Sequence, residues 1–123
     1  QGLLVFVGIA AGDEQKHADR LLERVLTYRG FEDAEGKMNL SLKDINGGLL
    51  LVSQFTLAAD TERGNRPGFS TAMPPQAARI MFAYLCDKAR QEHSIVETGQ
   101  FGANMQVSLT NDGPVTFRIH TKP

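Results

Sequence analysis

The residues best suited to chemistry lie at the end of an apolar run near the middle of the chain. Residues 49–52, Leu-Leu-Leu-Val, follow a glycine pair and have the length and composition of a buried strand. The run leads into a polar segment that keeps its β-forming residues, which we term the pentapeptide: Ser53-Gln54-Phe55-Thr56-Leu57. Alternation along a strand predicts that Gln54 and Thr56 share one face and that Ser53 lies with Phe55 on the other. Two hydroxyls and an amide at a strand end could hold a ligand, or could only mark where the strand reaches water.

The sequence limits the chemistry that these groups could perform. A hydroxyl such as that of Ser53 or Thr56 needs an adjacent base to become a nucleophile, and the pentapeptide contains none. The three histidines are far apart, and no spacing typical of a metal site, no Gly-x-Ser-x-Gly elbow and no phosphate-binding glycine fingerprint is present. No metal and no cofactor is therefore predicted. An enzyme with this sequence would act mainly by positioning, or would use a reacting group of its substrate.

Two further stretches could contact a ligand. Residues 58–74 are predicted to form a loop without structure of its own, and loops of that length are often functional. Its Arg63 and Arg66 could grip a phosphate, although an ordinary surface loop explains them equally well. Gly113-Pro114 stands in a turn between two predicted strands, where proline cannot donate to a ladder and glycine leaves its carbonyl uncrowded. A plain hairpin turn is the simpler interpretation.

Hydrophobic periodicity predicts the elements that position these residues. Strands are expected at 3–9, 38–42, 49–57, 95–98, 105–110 and 115–120. One helix is expected over about 14–29, capped by Asp13 and with His17 on its exposed face, and a second starts at Pro74-Pro75 and buries Cys86 beside its apolar stripe. The short connection between 38–42 and the next strand favours antiparallel pairing. We predict one α/β domain over residues 1–123, with a mostly antiparallel or mixed sheet and two helices packed on one side.

Composition narrows the possible partners and the compartment. The chain has 123 residues, with 13 Lys and Arg against 14 Asp and Glu, so it has no overall basic field and any nucleic-acid contact would be local. Its one cysteine excludes an internal disulfide and fits a reducing compartment. No apolar run approaches the length that crosses a bilayer, and no signal-peptide pattern is present. We therefore expect a cytoplasmic protein without a membrane partner.

Five short motifs together resemble one known family. The pentapeptide and the later Gly113-Pro114-Val115-Thr116 resemble the two signatures of the D-aminoacyl-tRNA deacylase family. Other matching stretches are Gly36-Lys37-Met38-Asn39, Gly64-Asn65-Arg66-Pro67 and Gly99-x-Phe101-Gly102-Ala103-x-Met105. Each motif is short, but five in the same order across the chain make the match specific.

The resemblance implies a homodimer that hydrolyses the ester between a D-amino acid and the 3′-terminal adenosine of tRNA. Such an enzyme performs chiral proofreading in translation quality control, binds the aminoacyl-tRNA 3′ end and has no DNA partner. In the family the Gly-Pro bond is cis and enters the pocket of the partner subunit. Carried over, the carbonyls of Gly113 and Pro114 would hold the substrate α-amino group and leave no room for an L side chain. Glycine, which has no side chain to exclude, would remain a possible substrate.

The resemblance also assigns roles to the other site residues. Ser53, Gln54 and Phe55 would place the terminal ribose and the ester, and backbone donors near Phe55 and Thr56 would stabilise the oxyanion. Phe101 and Met105 would bound the adenine. Arg66 would contribute to substrate binding.

Catalysis in the family has been attributed either to Thr56 as nucleophile or to the RNA 2′-hydroxyl. Because no base lies near Thr56 in the sequence, we favour the route assisted by the RNA.

One departure and two alternatives accompany this interpretation. Family members carry a further N-terminal hairpin, with an arginine that supports the Gly-Pro carbonyls, and no such segment precedes Gln1. Its absence would affect the completeness of the sheet and the proofreading. The first alternative is a non-catalytic module that binds the tRNA acceptor end. The second is an unrelated α/β interaction domain in which the motifs are only strand ends and turns.

Overall fold

The computed structural model describes residues 1–121, which form five strands, three α-helices and one 3₁₀ turn. The strands are β1 (Gly2–Val7), β2 (Phe31–Glu32), β3 (Met38–Leu40), β4 (Gly48–Ser53) and β5 (Val96–Thr98). The helices are α1 (Gln15–Thr27), α2 (Leu42–Ile45) and α3 (Pro75–Glu92), and the 3₁₀ turn is Phe55–Ala58. No helix in the described part of the chain is long and apolar enough to span a membrane.

A three-stranded parallel sheet forms the centre of the fold. Strand β4 lies between β1 and β5, and both neighbours run parallel to it. Parallel neighbours need crossover connections, which the segments containing α1 and α3 supply. Strands β2 and β3 form a separate antiparallel pair. The predicted α/β fold with mixed pairing is confirmed.

The core lies between this sheet and the two long helices. The most deeply buried side chains come from all of these elements and include Leu22, Leu26, Leu49, Leu51, Phe82 and Leu85. Burying each of them fully stabilises the fold by about 1.5–3 kcal/mol relative to exposure. The predicted burial of Cys86 on α3 is confirmed. A hydrogen bond of 2.6 Å from the Tyr84 hydroxyl to Asp19 ties α3 to α1.

Helix α1 begins differently from the prediction. Its cap is Glu14 and not Asp13, whose carboxylate accepts a hydrogen bond from the Ala10 N–H instead. His17, predicted to be exposed, is only 6% exposed. The physical reason is a reciprocal capping box, in which the His17 Nδ1 accepts the Glu14 N–H at 2.8 Å and so satisfies a backbone donor at the helix start.

The connection into β4 also differs from the prediction. Strand β3 does not pair with β4 as predicted, because a short helix, α2, separates them. Ser41 and Asp44 form the capping box of this helix. Asn46 ends this helix in the left-handed conformation, with φ of 47°. After this turn the chain enters β4, which pairs in parallel with β1.

The two C-terminal strands expected at 105–110 and 115–120 are not formed among the described residues. Neither stretch has a hydrogen-bonded strand beside it, and a β-former without a ladder partner is only an extended segment. The intervening turn is held by Asn111, which accepts from the Val115 N–H and donates to the Thr116 hydroxyl, each at 2.9 Å.

Candidate functional site

The candidate site lies where the carboxyl ends of the parallel strands meet. Because β1, β4 and β5 run in one direction, Val7, Ser53 and Thr98 end at the same edge of the sheet. Open parallel sheets bind ligands at this edge. The pentapeptide leaves β4, the central strand, at this edge, so it stands between the ends of its two neighbours.

The pentapeptide is not the extended strand that alternation predicts. Strand β4 ends at Ser53, where the backbone N–H of Gln54 still donates to Val7 at 2.8 Å, and the chain then closes into the 3₁₀ turn. Gly8 permits this turn, because a Cβ on Gly8 would stand 2.7 Å from the Cβ of Leu57. Gly8 is therefore a point of close backbone approach, and the predicted alternation of faces is wrong.

The turn exposes groups that suit an acyl substrate. The side-chain amide of Gln54 donates to the hydroxyl of Thr56, and the ring of Phe55 is 57% exposed. The backbone N–H groups of Phe55 and Thr56 open the turn and have no acceptor among the described residues. Two adjacent unused N–H groups are the geometry that can stabilise a developing oxyanion.

Thr56 has no base hydrogen-bonded to it among residues 1–121. The hydrogen-bond partner of its hydroxyl there is the side-chain amide of Gln54. Burial raises the pKa of the Cys86 thiol to about 11, which keeps that group protonated and inert. The described residues also contain no cluster of metal ligands.

The loop at 58–74 is more ordered than the sequence suggests. It closes through reciprocal backbone hydrogen bonds between Asp60 and Gly68, and the ring of Phe69 packs on Phe55 with 5.0 Å between centroids. Sequence reasoning missed Phe69, because this contact joins residues that no local pattern relates. Arg63 and Arg66 are exposed, and among the described residues neither forms a hydrogen bond with the pentapeptide.

Phe101 and Met105 follow β5 and lie near the same edge of the sheet. The ring of Phe101 packs against Phe82 at 6.1 Å, and the guanidinium of Arg79 lies 5.0 Å from its centroid. Met105 packs closely on Gly99, because a Cβ added to Gly99 would stand 2.9 Å from the Met105 sulfur. Arg79 is a candidate site residue that sequence reasoning missed, because its contact with Phe101 joins residues that no local pattern relates.

Gly113 and Pro114 are not part of this assembly within one chain. Both residues are exposed, the peptide bond between them is cis, and Gly113 has φ of 137°. No hydrogen bond or aromatic contact among the described residues joins the 111–116 turn to the pentapeptide. Within the described part of one chain, none of these contacts joins the two halves of the expected site.

Comparison with known proteins decides the family. Residues 1–120 match the family described as D-Tyr-tRNA(Tyr) deacylase. The chain belongs to this family. Among curated proteins of the same kind, D-aminoacyl-tRNA deacylases of Pseudomonas fluorescens Pf0-1 and Stutzerimonas stutzeri A1501 are 60% and 59% identical to it over 121 residues. Those 121 residues are 98% of this chain and 83% of each relative.

Two solved structures have the same fold as this chain. The c-Myc DNA Unwinding Element Binding Protein superposes with a TM-score of 0.94 at 36% identity, covering 100% of this chain and 84% of that one. A probable eukaryotic D-amino acid tRNA deacylase superposes with a TM-score of 0.71 at 15% identity, covering 84% and 76%, which shows a shared fold. Family membership confirms the resemblance seen in the motifs and the predicted hydrolase class.

Proposed function

We propose that this protein hydrolyses the ester bond of D-aminoacyl-tRNA and releases the free D-amino acid and the tRNA. The observation that carries the proposal is the pair of unused backbone N–H groups of Phe55 and Thr56, in a family of deacylases. They lie at the edge of the sheet where an acyl group would dock. The single buried thiol suits a reducing compartment, so the proposed location is the cytoplasm.

The proposed mechanism relies on positioning and on the RNA itself. Water attacks the ester carbonyl with assistance from the 2′-hydroxyl of the terminal ribose, and the oxyanion of the tetrahedral intermediate meets the N–H groups of Phe55 and Thr56. Its collapse expels the ribose oxygen, which takes the proton lost by the attacking water and leaves as the tRNA hydroxyl. Ser53 and Gln54 orient the ribose and the ester. Thr56 positions rather than attacks, because its hydroxyl accepts a hydrogen bond from the Gln54 amide and no base among the described residues is hydrogen-bonded to it.

The proposed chiral filter comes from a second subunit. Gly113 and Pro114 are exposed, and no hydrogen bond joins them to the pentapeptide of their own chain among the described residues, which supports a site completed by the second subunit of a homodimer. Their carbonyls would hold the α-amino group and exclude an L side chain, while glycine would pass. A filter made of backbone can reject one hand of many amino acids without reading a side chain.

The terminal nucleotide is assigned to groups beside the pentapeptide. Phe101 and Met105 would bound the adenine, with Phe101 held by its packing on Phe82 and by the guanidinium of Arg79. Arg66 on the loop would contact a phosphate of the same strand.

Deacylation assays test this proposal. Wild-type protein is expected to hydrolyse D-aminoacyl-tRNA and to spare the L form. The deacylation rate of Thr56→Ala should stay within about tenfold of the wild-type rate. The rate of the wild type on a substrate with a 2′-deoxy terminal ribose should fall by about 100-fold or more, which is the usual range of general acid–base assistance. Equal hydrolysis of the 2′-deoxy substrate would exclude the RNA-assisted route. A protein that binds the acceptor end but turns over neither hand would instead be the non-catalytic module.

A further inference from the structure

A groove lined by arginines lies on the surface beside the end of α1. It encloses about 490 Å³ and is lined by Arg20, Arg24, Thr27, Tyr28, Arg29, Met38 and Phe117. Three of these side chains carry guanidinium groups and none carries a carboxylate. Since the chain as a whole has a charge of −1, this groove is a local concentration of positive charge.

The sequence places the cations on one face of α1. Arg20 and Arg24 are four residues apart, and Tyr28 follows Arg24 at the same interval, so they form one stripe. Arg20 reaches Glu23 at 3.3 Å in an exposed pair that water screens. Arg24 has no carboxylate partner within the described residues, and Arg29 donates to the side-chain oxygen of Asn39 at 3.1 Å. Arg20 and Arg29 thus have a carboxylate nearby, Glu23 and Asp44 respectively, and Arg24 is the cation of the groove whose charge is most available to a ligand.

An aromatic platform forms the floor between these cations. The rings of Tyr28 and Phe117 pack with 5.3 Å between centroids, and the guanidinium of Arg24 lies 5.9 Å from the Tyr28 ring. Despite this packing, Tyr28 remains 36% exposed and Phe117 48% exposed. Guanidinium groups beside exposed rings are what single-stranded nucleic acid requires, since the charges meet phosphates and the rings meet bases.

The groove is connected to the proposed site through the chain. Phe117 follows Pro114 by three residues, and three residues span at most about 11 Å. We propose that this groove binds the phosphate backbone of the tRNA acceptor arm, next to the 3′-terminal nucleotide. The proposal rests on the proposed function and adds a second contact to it, because the groove steers and holds the RNA while the pentapeptide performs the chemistry.

Binding of a non-acylated RNA minihelix tests the groove separately from catalysis. The minihelix carries the acceptor stem with its single-stranded 3′ end, and its dissociation constant is measured by fluorescence anisotropy over a series of salt concentrations. Arg24→Gln and Arg29→Gln are each expected to weaken binding by about three- to tenfold, as for one lost charge-assisted contact. Each should also reduce the slope of log K against log salt by about 0.7 to 0.9. In deacylation, the same variants should raise KM and leave kcat unchanged.

Arg90→Gln is the matched control, since it removes an exposed arginine of α3 that does not line the groove. The unfolding midpoints of all three variants are compared first, so that weaker binding can be distinguished from a loss of folded protein. If wild type deacylates and the groove variants bind like Arg90→Gln, the groove proposal is wrong and the proposed function stands. If the groove variants lose binding but wild type turns over no D-aminoacyl-tRNA, the groove stands and the proposed function is wrong. Equal competition by duplex DNA of the same length would show a non-specific anion patch and overturn the assignment to tRNA.

Discussion

At the level of single residues, the candidate site depends on backbone groups and close approaches more than on charged side chains. The groups that face the proposed oxyanion are N–H groups of Phe55 and Thr56, which no side-chain substitution removes. Their position depends on Gly8, which lets the 3₁₀ turn fold against the end of β1. The sequence revealed the glycine and the pentapeptide. It could not reveal their contact, because the two are more than forty positions apart.

Gly8→Ala should therefore affect the proposed activity strongly. The new Cβ would stand 2.7 Å from the Cβ of Leu57, so the turn must move away from the sheet edge. A displacement of about 1 Å can cost 100-fold in rate, and we expect kcat for D-aminoacyl-tRNA to fall by about that factor. Gly48→Ala is the control, since a Cβ there meets only Ile95 at 3.6 Å. Equal activities of the two alanine variants would contradict the role of Gly8.

Cys86 supplies a prediction on pH. Burial raises the pKa of its thiol from 9.0 to about 11, so the folded state holds the proton more tightly than the unfolded state. The associated stability is fully present below about pH 9 and is lost as the pH rises towards 11. Urea unfolding between pH 8 and 10.5 should show a steeper loss for wild type than for Cys86→Ala. Iodoacetamide should modify the folded protein slowly and the unfolded protein fast; rapid modification of the folded protein would contradict burial.

At the level of secondary-structure elements, the local sequence pattern predicts the long helices. It is less accurate where contacts with residues distant in the sequence determine whether a segment forms a strand. Helices α1 and α3 follow from apolar residues at helical spacing and from the proline that opens α3. The predicted exposure of His17 is wrong, because the Glu14 N–H needs an acceptor and the His17 ring turns inward to supply it. The residues at 105–110 have the composition of a strand, but a strand exists only beside a partner.

The contact between α1 and α3 has a testable electrostatic component. The Tyr84 hydroxyl donates to Asp19, and this hydrogen bond, followed by that from Lys88, lowers the pKa of Asp19. The charge-assisted stabilisation is present above the unfolded pKa of 3.8 and is lost as the pH falls through the folded value. Tyr84→Phe should lower the urea midpoint modestly at pH 7, and the difference from wild type should shrink below pH 4. Tyr28→Phe, in the only other tyrosine, keeps its ring contact and should show neither effect.

At the level of the whole molecule, the described part of one chain leaves two apolar regions of its surface exposed. Large apolar side chains remain exposed both around the pentapeptide and along the C-terminal segment, and they include Phe55, Leu57, Phe69, Leu109 and Val115. A second copy could cover both regions at once, because a two-fold interface brings one region of each subunit against the other region of its partner. The same arrangement would bring the Gly113-Pro114 turn of one chain to the pentapeptide of the other. The sequence motifs point to both segments, but the lack of a hydrogen bond between them among the described residues could be seen only in the structure.

A shared site predicts complementation between two inactive variants. Gln54→Ala should disable the pentapeptide half and Pro114→Ala the turn half, so each homodimer loses both of its sites. When the two variants are unfolded together and refolded as a mixture, about half of the dimers contain one chain of each kind, and each such dimer has one intact site. Deacylation of D-aminoacyl-tRNA should then recover to about a quarter of the wild-type rate. The control is a mixture of the two proteins refolded separately and assayed at once, before subunits exchange. If the co-refolded sample is no more active than that control, each chain must build its own site, and the Gly113-Pro114 turn would have to reach the pentapeptide by a rearrangement within one subunit.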